Sequence, residues 1–376
     1  MELNIQMVDL QTQYLRLKTE IDVAIEQVIK SSGFINGKEV SQFADHLKEY
    51  LQVRYVIPVA NGTDALQIAL MSLGIGTGDE VITPDFTFIA TVEAVAMIGA
   101  KPVLIDVNAD DFNIDVGLLE SLITPKTKAI IPVHLFGQCA NMDEIMRIAK
   151  KHQLFVIEDA AQTIGSQYKG KTIEGMAGTL GDIGCTSFFP SKNLGCFGDG
   201  GALFTNNDNI AERIRMIANH GSKVKYYHEI IGVNSRLDTI QAAILNVKLK
   251  YLNDFNMRRK KAADFYDANL AGIQEIEIPK QNSFSTHIFH QYTLKVPEGE
   301  NVNLQSWLKE HKIPSMIYYP VPIHQQKAFS QYKIDARQFP ISNILSKKVI
   351  SLPMHTELTE GQQCYIVDKV YSYFKK

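Results

Sequence analysis

The sequence predicts an α/β protein with a large domain built on a mostly parallel sheet and a smaller C-terminal α+β domain. A chain of 376 residues is long enough for more than one structural unit. Short apolar runs alternate with helical segments through its middle, which is typical of parallel β–α units. This alternation stops after about residue 260. We therefore expect a large domain at residues 1–255 and a small domain at residues 256–376.

The elements follow in order along the chain. Apolar residues recur every three or four positions from residue 10 to residue 30, and a second helical stretch ends at about residue 51. Seven strands are predicted, at residues 55–59, 80–83, 102–106, 129–133, 155–158, 183–187 and 202–205. Helices are predicted at residues 65–73, 89–98, 116–123, 142–152 and 237–259. Such sheets bind ligands at the carboxyl ends of their strands, so the polar residues that follow strands are candidate site residues.

Composition narrows the possible partners. The net charge of −3 gives no general attraction to nucleic acid or to an anionic membrane. The four cysteines lack the spacing of a zinc site or a disulfide framework, which fits a reducing cytoplasm. No apolar run approaches the roughly 18 residues of a membrane span, and the first residues do not resemble a signal peptide. We expect a cytoplasmic protein without metal, membrane or nucleic-acid partners.

The segment CTSFFPSKNLGCFGDGG contains a lysine in unusual surroundings. Lys192 lies in a loop between two predicted strands, and Asp199 is the first charged residue after it. Its flanking residues include the aromatic or apolar Phe188, Phe189, Pro190, Leu194 and Phe197. A lysine in a loop is usually a solvated charge. An apolar setting would instead favour the neutral amine, which attacks aldehydes. Pyridoxal phosphate chemistry uses such a lysine together with an acid that keeps the pyridine nitrogen protonated.

Two other motifs offer the partners that this chemistry needs. Asp159 and Gln162 follow a strand in FVIEDAAQ, where Asp159 is the candidate acid and Gln162 could donate to the ring phenolate oxygen. By itself, an aspartate after a strand is more often a helix cap. In NGTDAL, Gly62 and Thr63 begin a helix whose N–H groups would hold a phosphate, and Ser187 could add a hydroxyl. A plain helix cap is the alternative there too.

Aromatic and histidine residues follow two further strands. In TPDFTFIAT, Phe86 and Phe88 come directly after a strand, where an aromatic ring could stack on a cofactor, although aromatics are more often core residues. His134 ends another strand in IIPVHLFG, and we expect it to be structural rather than catalytic.

Taken together, NGTDAL, TPDFTFIAT, EDAAQ, SFFPSKNLGCFGDGGA and GVNSRLDTIQAAIL resemble, in the same order, the DegT/DnrJ/EryC1/StrS family of nucleotide-sugar aminotransferases. The resemblance covers nearly the whole chain. It implies the fold-type-I aminotransferase fold, pyridoxal phosphate that passes through pyridoxamine phosphate, and a homodimer with shared active sites. By position it implies Lys192 as the Schiff-base lysine, Asp159 and Gln162 at the ring, Gly62, Thr63 and Ser187 at the phosphate, Phe86 stacked on the ring, and Asn234 reaching the phosphate from the partner subunit.

Within that family, the lysine and GVNSR motifs look closest to the enzymes that aminate UDP-2-acetamido-2-deoxy-3-oxo-glucuronate. This implies sugar contacts from Ser32, Phe34, Ser191, Arg236, Tyr318 and Tyr319, with His324 close by. Tyr318 is a departure, because those enzymes have histidine there, and a tyrosine offers the sugar carboxylate only a neutral donor. Arg236 could meet a carboxylate, a hydroxyl or the diphosphate.

The expected reaction moves an amino group from L-glutamate to a keto-sugar nucleotide, at the 3-keto position of a UDP-2-acetamido sugar, for surface polysaccharide (lipopolysaccharide O-antigen) biosynthesis. A dTDP-3-keto-6-deoxyhexose or a 4-keto sugar nucleotide is the alternative substrate. A sugar dehydratase is disfavoured, because those relatives replace the lysine with histidine and Lys192 is present. A non-catalytic sensor or regulator is disfavoured because the set of lysine, acid, amide and hydroxyl residues is intact.

Overall fold

The computed structural model describes residues 4–375 of the chain. Within these residues the α-helices are α1 Leu10–Ser31, α2 Lys38–Leu51, α3 Gly62–Ser72, α4 Ala90–Met97, α5 Val116–Leu119, α6 Met142–His152, α7 Asp208–Ala218, α8 Thr239–Leu249, α9 Leu252–Leu270, α10 Glu300–Glu310, α11 Pro340–Leu345 and α12 Glu360–Phe374. The strands are β1 Tyr55–Val59, β2 Glu80–Pro84, β3 Lys101–Ile105, β4 Thr127–Ile130, β5 Phe155–Asp159, β6 Gln167–Lys169, β7 Glu174–Met176, β8 Ile183–Ser187, β9 Gly201–Thr205, β10 Ser222–Val224, β11 Tyr227–His228, β12 Tyr292–Lys295 and β13 Val349–Leu352.

Seven strands form the central sheet, in the order β1-β9-β8-β5-β4-β2-β3. Only β9 runs against its neighbours, and the other pairs are parallel. Every residue of β2 and β9 is buried, as expected where helices cover both faces of a sheet. These strands correspond to the seven predicted from the sequence, so the predicted α/β class and mostly parallel sheet are confirmed.

Helix α6 packs on the central sheet through one apolar face, and its sequence shows the reason. Asn141 caps it by accepting a hydrogen bond from the backbone N–H of Glu144, and its basic residues lie in the last turn, where the helix dipole favours them. Its buried residues recur at three or four positions and face the sheet, namely Met142, Ile145, Ile148 and Ala149. No helix within residues 4–375 is long and apolar enough to cross a membrane.

The C-terminal part of the chain has its own core. The antiparallel pair β12–β13 packs with α9, α10 and α12 around Tyr266, Leu294 and Ile366, all fully buried. Ile5, from the other end of the chain, belongs to the same core, and the Met354 N–H donates to the Met7 carbonyl at 3.3 Å. The proposed domain boundary at residue 255 falls inside α9 and stays a prediction.

The prediction of one long helix at residues 237–259 is wrong, because the structure has two helices there. α8 ends at Leu249 and α9 begins at Leu252, and Tyr251 between them has φ −104° and ψ 2°, outside the helical region. The apolar residues of α8 pack against α1 and α2, whereas α9 packs against α12. The start of α9 still shares cores with α8 through Leu252 and Phe255, whereas its later residues, from Ala262 on, pack in the C-terminal core.

Candidate active site

The predicted site residues converge at the carboxyl edge of the sheet. Asp159 ends β5 and Ser187 ends β8, while Gly62 begins α3 three residues after the end of β1. Lys192 lies in the loop that joins β8 to β9. Because β1, β5 and β8 run in the same direction, their carboxyl ends meet at one edge, as expected for a ligand site in an open sheet.

The lysine loop is tightly folded. The Lys192 N–H donates to the Phe189 carbonyl and the Cys196 N–H to the Phe188 carbonyl, each at 2.8 Å. Gly195 has no room for a side chain, since a Cβ there would lie 2.3 Å from the Pro190 carbonyl oxygen. Such a loop holds the lysine Cα in one place.

Two buried side-chain contacts join this loop to helices α8 and α9. The Asn193 amide donates to the Asn256 carbonyl oxygen at 2.8 Å, and Lys248 Nζ donates to the Gly195 carbonyl at 2.6 Å. Both side chains are almost fully buried, Asn193 at 4% exposure and Lys248 at 2%. The loop is therefore fixed directly after Lys192, at Asn193 and at Gly195.

Lys192 is a reactive amine by environment. Its side chain is partly buried, and within residues 4–375 its Nζ has no hydrogen-bond partner. Desolvation lowers the pKa of Lys192 to about 8, and the nearby Asp159 carboxylate opposes this shift. A lysine with a pKa near 8 has a useful neutral fraction at physiological pH, as a nucleophile or a base requires.

Asp159 is buried and held by two donors. The Thr91 hydroxyl donates to Oδ2 at 2.8 Å, and the Ala161 backbone N–H donates to Oδ1 at 3.1 Å. The carboxylate is 6% exposed, and its two oxygens retain lone pairs for a further donor. A protonated ring nitrogen is such a donor.

Gln162 lies next to this acid with both ends of its carboxamide engaged. Its Oε1 accepts from the Phe136 backbone N–H at 2.8 Å, and its Nε2 donates to the Tyr319 hydroxyl oxygen at 3.2 Å. One N–H of the amide is left to point elsewhere. The predicted partner of a ring oxygen is therefore present and oriented.

The start of α3 forms a narrow cradle with Ser187. The Asn61 side chain caps the helix by accepting from the Asp64 N–H at 2.8 Å, while the first backbone N–H groups of a helix remain available to an anion. A Cβ at Gly62 would lie 2.7 Å from the Ser187 Cβ, so no other residue fits without displacing the serine. The structure thus brings together the predicted phosphate residues Gly62, Thr63 and Ser187.

The two aromatics after β2 occupy different environments. Phe86 is 0% exposed, with its ring centroid 6.2 Å from that of Phe112 and 5.9 Å from that of Tyr319. Phe88 is 55% exposed and lies 6.3 Å from Tyr319. A wholly buried ring has no face to offer a ligand. The structure therefore favours Phe88 over the predicted Phe86 as the residue that stacks on a ring in the cleft.

The SSGFING loop lies beside the GVNSR segment. The Phe34 carbonyl accepts from the Thr239 N–H at 3.1 Å, which joins the loop of Ser32 and Phe34 to the start of α8, just after Arg236. The Arg236 Nε is buried and finds no acceptor within the described chain. Asn234, on the same segment, is exposed, and Ser191 is partly exposed.

The His324 side chain is paired with Asp85 of the same chain. Its Nδ1 contacts Asp85 Oδ2 and its backbone N–H donates to Asp85 Oδ1, both at 2.7 Å. Its side chain is 1% exposed and stacks on Phe339. Tyr318 and Tyr319 lie a few residues earlier and are partly buried. His324 is thus buried and paired with Asp85, and its predicted sugar contact stays a prediction.

His134 has the structural environment expected from the sequence. Its Nε2 lies 2.8 Å from Glu158 Oε2, and its Nδ1 accepts from the Ala140 N–H at 3.1 Å. Glu158 also accepts from three backbone N–H groups, those of Gly178, Leu180 and Gly181. The pair fixes the loop after β7.

A family model described as the DegT/DnrJ/EryC1/StrS aminotransferase family matches residues 16–371. The chain belongs to this family. It is 46% identical to the UDP-2-acetamido-2-deoxy-3-oxo-D-glucuronate aminotransferase of Pseudomonas aeruginosa over 354 residues, 94% of this chain and 96% of that one. It is also 46% identical to a pleiotropic regulatory protein of Geobacillus stearothermophilus over 99% of both chains. A dTDP-3-amino-3,6-dideoxy-alpha-D-galactopyranose transaminase of Aneurinibacillus thermoaerophilus is 41% identical over 98% of this chain and 99% of its own.

Solved structures of similar proteins agree with the fold. DesV of S. venezuelae in complex with a ketimine intermediate matches with a TM-score of 0.95 at 38% identity, over 99% of both chains. NtdA of Bacillus subtilis with bound cofactor PMP matches with a TM-score of 0.89 at 34% identity, over 96% of this chain and 82% of that one. The predicted aminotransferase fold is thereby confirmed, and so is the predicted cofactor class at the level of the family.

The residues of this aminotransferase fit pyridoxal phosphate. The phosphate requires anion donors, and the cradle of Gly62 and Ser187 is too narrow for a side chain there. The ring nitrogen requires an acid, and Asp159 has lone pairs available. The aldehyde requires an amine that is not engaged elsewhere, and the Lys192 amine has no hydrogen-bond partner within residues 4–375.

Thr91 was not singled out from the sequence, although it bonds Asp159 directly. It lies in the first turn of α4, within the TPDFTFIAT motif. Its signal was weak, because a threonine in the first turn of a helix commonly bonds that helix's own backbone. Only the packing of α4 beside β5 reveals its partner.

Proposed function

We propose that this aminotransferase transfers an amino group from L-glutamate to the keto carbon of a nucleotide sugar, with a 3-keto UDP-2-acetamido sugar of the 3-oxo-glucuronate type as substrate. The observation that carries the proposal is Lys192, an amine that lies near a buried acid and has no hydrogen-bond partner among residues 4–375, with its pKa lowered to about 8 by desolvation. The identity with the Pseudomonas aeruginosa enzyme supports the UDP sugar. The similarity to a dTDP-sugar transaminase supports a second candidate, a dTDP-3-keto-6-deoxyhexose.

Pyridoxal phosphate, when bound, supplies an aldehyde carbon that bonds amines and a ring that withdraws electrons. Lys192 would hold that carbon, Asp159 the ring nitrogen and Gln162 the ring oxygen. Gly62, Thr63 and Ser187 would hold the phosphate. Phe88 takes the stacking role proposed for an aromatic of this loop, because it is exposed and Phe86 is not.

Lys192 also moves the proton. As a neutral amine it takes the proton from the α-carbon of glutamate, and its tight loop keeps the nitrogen close to that carbon. In the second half of the cycle the same amine handles the proton at the sugar carbon that receives nitrogen. Thr91 and the Ala161 N–H hold the Asp159 side chain in place for the ring nitrogen.

The sugar nucleotide is anionic, and Arg236 is the cation we assign to it. Its buried Nε lacks an acceptor within the described residues, which costs free energy unless a ligand supplies one. Ser32, Phe34, Ser191 and Tyr318 are proposed to line the sugar side. The neutral Tyr318 can donate to a carboxylate or to a hydroxyl.

Candidate substrates are best compared in the reverse direction. The enzyme is loaded with pyridoxal phosphate and mixed with UDP-2-acetamido-3-amino-glucuronate, its uncharged glucose analogue or a dTDP-3-amino-6-deoxyhexose. We expect the glucuronate to convert the cofactor spectrum fastest. Conversion by the dTDP sugar alone would replace the proposed substrate with the second candidate. Lys192→Ala is the control, and turnover by it at the wild-type rate would contradict the mechanism.

The similarity to a pleiotropic regulatory protein gives a further candidate, a regulator that binds the cofactor without turnover. The discriminating measurement is release of 2-oxoglutarate from glutamate by the loaded enzyme. Stoichiometric release supports an enzyme. A cofactor spectrum that no amino donor changes would support the regulator.

We also propose a homodimer in which Asn234 of each subunit serves the site of its partner, since Asn234 is exposed in the single chain. Mixing Lys192→Ala subunits with Asn234→Ala subunits tests this. If Asn234 acts across the interface, each mixed dimer contains one intact site, and activity returns. If Asn234 acts within its own subunit, every site in the mixture stays defective.

A further inference from the structure

The Gln162 carboxamide can adopt only one orientation in this site. The Phe136 backbone N–H is a donor, so it must meet the amide oxygen, and it does so at 2.8 Å. The amide nitrogen then faces the Tyr319 hydroxyl, to which it donates at 3.2 Å. A reversed amide would place two donors against each other at Phe136, which a buried site does not tolerate without loss of stability.

Tyr319 is in turn held firmly by the large domain. Its ring lies 5.9 Å from Phe86 and 6.3 Å from Phe88, between centroids. Four residues further on, the Ile323 N–H donates to the Asp85 carbonyl at 3.1 Å, and His324 binds the Asp85 carboxylate. One buried residue of the loop after β2 therefore fixes the segment that carries the tyrosine.

Tyr318 is adjacent but not equivalent. Its ring centroid lies 5.9 Å from that of Tyr319, and its hydroxyl makes no hydrogen bond within residues 4–375. Burial raises the pKa of both tyrosines, so both are neutral donors and acceptors at physiological pH. Only Tyr319 touches a residue that we assign to the cofactor.

We infer that Tyr319 is a positioning residue that fixes the Gln162 carboxamide toward the ring oxygen of the cofactor. This inference rests on the proposed function. It changes the role of Tyr319 from a sugar contact to a residue that acts on the cofactor through Gln162. The free N–H of a fixed amide is a directed donor, whereas an amide held only by Phe136 can swing about that bond. Tyr319 thereby stabilises the deprotonated ring oxygen.

Loss of the Tyr319 hydroxyl should raise the pH midpoint of the cofactor absorbance. A donor to a negatively charged oxygen favours its deprotonated form, so loss of the positioning contact raises the pH at which the bound cofactor changes its absorbance. Because a hydrogen bond to a charged group contributes more than one to a neutral group, we expect an upward shift of about half to one pH unit. A residue that merely contacts the sugar would leave this midpoint unchanged.

The test compares Tyr319→Phe with Tyr318→Phe in the holoenzyme. Both variants keep the ring and lose only the hydroxyl, so packing is matched, and the melting temperature of each apoprotein checks the fold. We expect the absorbance midpoint to shift in Tyr319→Phe alone. The dissociation constant for pyridoxal phosphate should also rise about two- to tenfold in that variant.

A double variant strengthens the test. If Tyr319 acts through Gln162, Tyr319→Phe combined with Gln162→Ala shifts the midpoint no further than Gln162→Ala alone. Additive shifts, or an unchanged midpoint with a higher KM for the sugar nucleotide, would overturn the inference. Failure of the wild-type enzyme to bind the cofactor at Lys192 would instead overturn the proposed function, so the two failures are distinguishable.

Discussion

The low pKa of Lys192 predicts how fast the apoenzyme captures its cofactor at each pH. With the pKa lowered from 10.5 to about 8, about one amine in eleven is neutral at pH 7. An ordinary lysine with a pKa of 10.5 would be neutral in about one case in three thousand. The environment therefore raises the reactive fraction about 300-fold at neutral pH.

The assay mixes cofactor-free enzyme with pyridoxal phosphate in a stopped-flow instrument from pH 6 to pH 10. The initial rate should rise about tenfold per pH unit below pH 7, reach half its maximum near pH 8 and level off above about pH 9, where nearly all of the amine is neutral. Borohydride reduction followed by peptide mass spectrometry identifies the modified lysine. Nα-acetyl-lysine in solution is the reference, and its rate should keep rising beyond pH 9.

The variant Asp159→Asn provides a second test of the Lys192 pKa. The Asp159 charge raises the pKa of Lys192 against the stronger effect of desolvation, so its removal should move the midpoint of the rate profile downward. A wild-type midpoint near that of free lysine would refute the argument from burial. An upward shift in Asp159→Asn would refute the argument from charge.

Three further variants test the geometry of the site. Gly62→Ala places a Cβ 2.7 Å from that of Ser187 and should weaken cofactor binding at least ~tenfold, whereas Gly272→Ala, which has open space around it, should not, by titration of the apoprotein. Arg236→Lys keeps the charge but loses the planar fork, so KM for the sugar nucleotide should rise ~tenfold while KM for glutamate stays constant. Thr91→Val removes one donor from the buried acid and should lower kcat ~tenfold in steady-state assays, and an unchanged kcat would show that the backbone donor suffices.

The regular part of the fold was predictable because its pattern is local. Each strand of the central sheet is a short apolar run between turn residues, and the start of α3 is marked by the Asn61 cap. The break between α8 and α9 was not predictable, because Lys250 and Tyr251 are acceptable helix residues. What separates the helices is their packing against different partners, which the sequence does not display.

The site was predicted where a motif fixes the backbone and less well where packing decides. Asp159 and Ser187 end strands, Gly62 begins a helix, and Gln162 and Lys192 lie in the loops that follow β5 and β8; the structure brings all five together. Phe86 and Phe88 differ by two positions, and their opposite exposure depends on the loop geometry and on Tyr319.

The polar contacts of residues 318–324 are harder still to predict from the sequence. His324 and Asp85 are 239 positions apart, and Gln162 and Tyr319 are 157 positions apart. Nothing in either local pattern marks these pairs, since they depend on the packing of the C-terminal part against the loops after β2 and β5.

The shared core of Ile5 and the C-terminal elements has a consequence for biosynthesis. Leu294, Ile350 and Ile366 pack in one cluster with Ile5, and Val370 belongs to it too, so this cluster cannot close until residue 370 has left the ribosome. The central sheet, complete at Thr205, can form earlier. During translation Ile5 therefore lacks its C-terminal packing partners after the central sheet is able to fold, and its apolar side chain stays exposed to proteases and to other chains until they arrive.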